Sequence, residues 1–172
     1  IPAGIGEFKL SPDQSKVMYI SYVKSAVKSP ADCYEDLDKA TAYTTDDLMY
    51  RHWDHTVMEI PHTFVADFDL NGEITPASSM DILEGEKELY ELPTEPWSGL
   101  EQLDWSPDGK FIAYSCRKLT GKRYAFSTNT EIYIYRVSDG KTSVIDMKGG
   151  YDTDPVWSPD GSKICWISME RD

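Results

Sequence analysis

Trp105-Ser106-Pro107-Asp108-Gly109-Lys110-Phe111-Ile112-Ala113-Tyr114-Ser115-Cys116 decides the fold, because the pattern occurs three times. Leu10-Ser11-Pro12-Asp13-Gln14-Ser15-Lys16-Val17-Met18-Tyr19-Ile20-Ser21 aligns on it without a gap. So does Trp157-Ser158-Pro159-Asp160-Gly161-Ser162-Lys163-Ile164-Cys165-Trp166-Ile167-Ser168. In each copy an apolar residue ends a strand, Ser-Pro-Asp-Gly turns the chain, and a β-rich run such as Phe111-Ile112-Ala113-Tyr114 follows, which is a β-hairpin. Proline suits the first central position of a turn, aspartate bonds forward to backbone N–H groups, and glycine accepts a positive φ. Gln14 stands where the other copies carry glycine, so the first turn is the weaker one.

A second kind of hairpin lies between these motifs. Glu131-Ile132-Tyr133-Ile134-Tyr135-Arg136-Val137 meets Asp139-Gly140 and then Lys141-Thr142-Ser143-Val144-Ile145, and Asp-Gly between β-rich runs signals a two-residue turn. Its counterpart is Thr63-Phe64-Val65-Ala66-Asp67-Phe68-Asp69-Leu70, turning at Asn71-Gly72 into Glu73-Ile74-Thr75. The alternation gives four strands per unit. The expected fold is therefore all-β, a partial β-propeller of about three four-stranded blades filling residues 1–172, with repeat hairpins at 10–21, 105–116 and 157–168. The motif serines at 11, 106 and 158 are 95 and 52 residues apart, against roughly 40–50 for a four-stranded blade. The longer interval predicts two insertions, about 27 extra residues within 22–61 and about 16 within 77–99. Inserted loops on a rigid repeat are where binding surfaces are built.

The bulk composition narrows the function. With 172 residues, 40% hydrophobic and 12% aromatic, the chain makes one domain with a real core. Thirty acidic residues against 17 basic ones leave a net charge of −13, which repels nucleic acid and anionic lipid. No stretch approaches the roughly 18 apolar residues of a membrane span. Ile1-Pro2-Ala3-Gly4 lacks the basic and apolar regions of a signal peptide, which reads as a mature or cut N-terminus. Cys33, Cys116 and Cys165 cannot all pair, and the latter two, among strand residues, are expected to behave as small buried hydrophobes.

No catalytic centre is legible. Serine hydrolysis on an α/β-hydrolase needs Gly-x-Ser-x-Gly with a later acid and histidine, yet His52, His55 and His62 all precede the best serine candidates, Ser98 and Ser162. His52-Trp53-Asp54-His55 has a spacing that can bind zinc on a helix, but Trp53 favours a packed cluster with hydrogen-bonded histidines. Asp67, Asp69 and Asn71 before Gly72 match the start of a calcium loop. Ser78 stands where a bidentate glutamate is required, so a hairpin turn is preferred. No metal and no cofactor are expected. Glu84, Glu86, Glu88, Glu91 and Glu95, with Tyr90 and Trp97, make an acidic, aromatic insertion. It reads as a solvated loop or, functionally, as a rim from which one or two carboxylates pair with the free amino terminus of a peptide. The run Leu83–Tyr90 within it can form a short helical turn.

The Ser-Pro-Asp-Gly-Lys hairpins, together with Leu48-Met49-Tyr50-Arg51-His52-Trp53-Asp54, His62-Thr63-Phe64-Val65-Ala66-Asp67 and Ile167-Ser168-Met169-Glu170-Arg171-Asp172, resemble the propeller domain of the prolyl oligopeptidase family. The nearest branch is the dipeptidyl-peptidase V and acylaminoacyl-peptidase-like enzymes. Tol-associated periplasmic propellers share the turn motif, and the Tyr-Arg-His-Trp-Asp segment with the Phe-Val-Ala-Asp strand separates the two. The resemblance implies a propeller that caps a C-terminal α/β-hydrolase domain, admits short peptide substrates and helps anchor their amino terminus. It also implies a periplasmic or secreted setting. The triad Ser, Asp and His find no positions in this chain, so the segment is non-catalytic by itself and its parent is a serine peptidase. Glu95 and Trp97, then Arg51, Trp53 and Asp54, are the expected substrate-binding residues. The rival expectation is a non-enzymatic periplasmic propeller that docks a protein partner. About three blades do not close a ring, so open blade edges are expected to favour self-association.

Overall fold

At each repeat the serine, not the proline, holds the turn. In the computed structural model, which describes residues 4–46, 52, 54–69, 71, 78–145 and 149–170, the hydroxyl of Ser106 donates to Asp108 at 2.7 Å and accepts the Phe111 N–H at 2.9 Å. Ser11 does the same with Asp13 (2.7 Å) and the Lys16 N–H (3.0 Å). Ser158 repeats it with Asp160 (2.6 Å) and the Lys163 N–H (3.0 Å). The aspartate in turn accepts a backbone N–H two residues on, from Ser15, Lys110 or Ser162. The fourth residue closes the turn at positive φ: 68° at Gly109, 69° at Gly161 and 58° at Gln14. Gln14 thus holds a left-handed conformation that costs an L-residue about 1 kcal/mol.

The first sheet is a meander of β1 (Phe8–Leu10), β2 (Lys16–Lys24), β3 (Glu59–Asp67) and β4 (Met80–Asp81), all antiparallel neighbours. The second repeats it with β5 (Leu103–Trp105), β6 (Phe111–Cys116), β7 (Glu131–Arg136) and β8 (Lys141–Val144). A third hairpin, β9 (Gly150–Trp157) and β10 (Ile164–Glu170), stands as a two-stranded sheet. The described residues therefore form two four-stranded blades and one further hairpin of the same kind.

Two local expectations change. Arg136 pairs with Lys141, so Asp139-Gly140 belongs to a four-residue loop, Val137 to Gly140, and is not a two-residue turn. The expected strand at Glu73 to Thr75 lies outside the described residues; the strand that pairs with β3 is β4, inside what spacing assigns to the second insertion. β2 also runs on to Lys24 and β3 begins at Glu59, which confines the first long connection to 25–58.

The middle strands are buried along most of their length, β2 from Val17 to Ser21 and β6 from Ile112 to Cys116. They are flanked by a sheet neighbour on each side and covered by the adjoining blade. Met18, Val65, Ile82, Leu92, Leu103 and Trp105 meet Ile112, Tyr114, Cys116 and Tyr135 in the core between the two blades. Polar ties set the stagger. The Trp105 indole N–H donates to the Lys9 carbonyl (3.3 Å), Lys9 reaches Asp104 (2.9 Å), and Asp104 accepts the Trp157 N–H (3.0 Å). Ser115 and Thr130 both donate to the Asp152 carbonyl, at 2.8 and 2.6 Å, locking the third hairpin onto the second blade. On that hairpin Val156, Ile167 and Met169 are exposed. Cys165 is exposed there too, contrary to the expectation of burial, whereas Cys116 is buried and its thiol is pushed up to about 12 by loss of solvent.

The connections sort by end. The Ser-Pro-Asp turns β1–β2, β5–β6 and β9–β10 all sit at one end of the blades. Antiparallel order puts the β2–β3 connection (25–58), the β4–β5 connection (82–102) and the β6–β7 connection (117–130) together at the other. Every long insertion therefore converges on one face.

Two measurements test the turn. Ser106 is buried and makes both bonds, so Ser106→Ala is expected to cost about 1–3 kcal/mol in urea unfolding, with a smaller loss for the more exposed Ser158→Ala. The Ser11 and Ser158 hydroxyls hold the carboxyls of Asp13 and Asp160 at about 2, below the ordinary 3.8. Their contribution is thus present above the ordinary value and lost as pH falls through about 2. NMR titration is expected to show those midpoints, and Ser11→Ala to move that of Asp13 upward.

Candidate functional site

The face that gathers the insertions is built around a buried acid. After β4 the chain turns at Ile82 to Gly85, without the helical turn that Leu83–Tyr90 allowed, and runs back along β3. The Leu92 N–H donates to the Pro61 carbonyl (2.9 Å) and the Thr63 hydroxyl to the Leu92 carbonyl (3.0 Å). These bonds fix Glu91 and aim it inward. The Glu91 Oε1 lies 2.6 Å from His52 Nε2, with the two side chains only 1% and 2% exposed. Oε2 accepts the hydroxyl of Tyr124, which stands on the short helix α2 (Gly121–Phe126) of the β6–β7 connection. The Arg117 guanidinium lies 5.1 Å from the Tyr124 ring centroid, stacked on its face. One carboxylate thereby joins three connections from two blades.

A buried carboxylate persists only if paired and hydrogen-bonded, and Glu91 has both. The Glu91 hydrogen bond, against the opposing effect of burial, raises the His52 pKa above 6.5 and favours the imidazolium. Burial and the adjoining Glu91 push the Tyr124 phenol far up, so it is a hydrogen-bond donor throughout the accessible pH range.

Glu95 follows one turn of chain later and is half-buried. Its Oε1 accepts the hydroxyl of Tyr22, at the end of β2, at 3.2 Å, and it lies beside His52 and Glu91, with one ligand atom of each within 4.8 Å of the others. From there a cleft of about 590 Å³ opens, lined by Thr94, Glu95, Trp97, Gln102, Arg117 and Tyr151 among others. Trp97 is 89% exposed and held at φ 82°, a left-handed conformation that costs an L-residue free energy and that tertiary contacts have to impose. Gln102 secures the loop by accepting the Thr94 N–H at 2.8 Å. Arg117 is buried, and its Nε has no hydrogen-bond partner. The cleft therefore presents an anion, a large apolar face and a guanidinium edge within one concavity.

With this geometry in view, the comparisons with known proteins are direct. No family model matches the chain. A protein of Porphyromonas gingivalis called dipeptidyl-peptidase 5 is 50% identical over 170 residues, 98% of this chain and 24% of that protein. Along its whole length the chain is similar to one part of dipeptidyl-peptidase 5. A second, from Porphyromonas endodontalis, is 42% identical over the whole chain, and one from Aspergillus oryzae is 26% identical over 98% of it. The chain spans about a quarter of the length of these dipeptidyl-peptidase 5 relatives. A solved TolB from Acinetobacter baumannii overlays with a TM-score of 0.45 and 14% identity, across 94% of this chain and 26% of that one.

Of the residues singled out from sequence, Glu95 and Trp97 line one cleft. Asp54 is exposed and bonded to His55 at 2.9 Å, outside that cleft's lining. Arg51 and Trp53 lie outside the described residues. Asp67, the first residue of the calcium-like run, pairs with Lys16 across β2 and β3 at 2.5 Å, and Asp69 accepts the Asn71 N–H as a turn does. Among the described residues no helix is long and apolar enough to cross a membrane. Sequence reading grouped Glu91 with solvated acids and had no reason to select Arg117 or Tyr124. The one available signal was the histidine of Arg51-His52-Trp53, taken as a packed, hydrogen-bonded residue, which needs a buried partner. Breaking that pair with Glu91→Ala is expected to cost about 3–5 kcal/mol in unfolding experiments, whereas Asp54→Ala is expected to leave the melting temperature unchanged.

Proposed function

We propose that this segment is the substrate-gating and amino-terminus-binding part of a serine exopeptidase of the dipeptidyl-peptidase type, periplasmic or secreted, and non-catalytic by itself. In this reading the nucleophile, acid and histidine belong to an α/β-hydrolase domain elsewhere in the protein, which places the enzyme in the prolyl oligopeptidase family. The observation that carries the proposal is the one cleft lined by half-buried Glu95, exposed Trp97 and buried Arg117.

The chemistry follows from those side chains. A peptide's ammonium donates to the Glu95 carboxylate, a charge-assisted bond strengthened by partial exclusion of water. The first side chain of the peptide packs on the Trp97 indole. Arg117, buried in the wall of the same cleft, lends positive charge that favours the peptide's carbonyl oxygens on that side. Backing by the His52–Glu91 pair keeps Glu95 from relaxing inward, since that space is already filled by an ion pair. Dipeptidyl specificity is then a matter of length: a fixed anchor for the amino group sets how far the scissile bond lies from it.

In a full-length protein carrying this segment, Glu95→Ala and Trp97→Ala are each expected to lower kcat/KM for dipeptidyl substrates about tenfold to a hundredfold, the first through a lost charged hydrogen bond and the second through lost apolar contact. Substrates with an acetylated amino group are expected to lose the Glu95 dependence. An unchanged kcat/KM for unblocked dipeptides in both variants overturns the assignment.

A further inference from the structure

We propose that His52, Glu91 and Glu95 bind a divalent transition-metal ion, of which zinc fits best, at the inner end of the cleft. These residues supply one imidazole nitrogen and two carboxylate oxygens, all within 4.8 Å of one another. Around a tetrahedral zinc at about 2.0–2.1 Å the donors stand about 3.3 Å apart, so small side-chain rotations complete the set. The hydrogen bond between His52 Nε2 and Glu91 Oε1, 2.6 Å long, opens by under an ångström as the ion takes the place of the shared proton, which leaves to solvent. The fourth position faces the cleft and is filled by water.

The surroundings suit an ion as well as the donors do. Each carboxylate is steadied by a phenol, Glu91 by Tyr124 and Glu95 by Tyr22, and a carboxylate that gives one oxygen to an outer donor keeps the other for a metal in a fixed direction. Glu95 lines both the 590 Å³ cleft and a second one of about 530 Å³ on the Tyr22 side, so an ion has a route in, while His52 and Glu91 close the far side. An imidazole with only two carboxylates is poor in oxygen for calcium or magnesium, which take six or more oxygens, but suits zinc. This set shares only His52 with the His-x-x-His spacing in the sequence; its other two members come from the acidic insertion.

The site does not depend on the peptidase reading, although the two meet at Glu95: an ion there and a peptide ammonium exclude one another. The test is therefore direct binding. Full-length protein stripped with chelator is titrated with zinc chloride by calorimetry, and with cobalt(II) by visible absorption. One zinc per chain is expected, weakened at least tenfold by Glu95→Gln, a change at a half-buried position whose fold is checked by melting. Cobalt is expected to give a tetrahedral nitrogen–oxygen spectrum without a thiolate charge-transfer band, which separates this site from exposed Cys33 and Cys165. No zinc uptake at millimolar concentration, or an affinity that Glu95→Gln and His52→Gln each alter by less than about twofold, overturns the proposal. Loss of dipeptide hydrolysis in Glu95→Ala without zinc binding leaves the amino-terminus reading standing and removes only this one.

Discussion

The hydroxyl of the motif serine is the constraint on which the rest of the structure depends. It donates to the turn aspartate and accepts the N–H five residues on, and it does so at Ser11, Ser106 and Ser158 alike. Each turn thereby sets the direction of its second strand through contacts within six residues. The turns also stack: a Cβ built on Gly109 would lie 3.8 Å from Pro12, and one built on Gly161 would lie 3.7 Å from Pro107. Each turn thus rests on the proline of the turn before it. The spacing between blades is set at this end, where turns that are each local in sequence meet across the chain.

Fixing one end leaves the other available. Because antiparallel meanders alternate their connections, the 25–58, 82–102 and 117–130 connections all emerge opposite the turns. Length can be added there without disturbing the stack, and the added residues meet each other. Glu91 is what they share. Its carboxylate reaches His52 of the first connection and Tyr124 of the third, so three connections that have no regular structure in common are tied through one acid. A buried ion pair is weak evidence of net stability, but it is intolerant of a wrong arrangement, since either partner alone would be a desolvated charge. That intolerance holds Glu95, four residues on, at the mouth of the cleft.

The hairpins and the four-strand period were legible because each rests on contacts between residues close in sequence: a serine and an aspartate two apart, a glycine at positive φ, alternating β-branched and aromatic residues. Glu95 and Trp97 were chosen as candidates because a carboxylate on an inserted rim, beside an aromatic, can pair with the amino terminus of a peptide. Met80-Asp81, which pairs with β3, is too short a strand to stand out in the sequence, and the strand expected at Glu73 to Thr75 lies outside the described residues. Cys165 was expected inside because its strand is β-rich, yet it is exposed, as Ile167 and Met169 on the same strand are.

The sequence by itself determined the repeating unit and the handling of each turn, because those energies are local and a serine, a proline and an aspartate satisfy them within a few residues. Only the tertiary structure decided which of the many acids in the insertions is buried. Glu84 and Glu91 are alike in sequence context, and Glu84 is exposed while Glu91 is sealed under Tyr124 and His52. Burial of a charge is stable only where partners from elsewhere in the chain converge on it, and that convergence is a property of blade packing, which no short window of sequence contains.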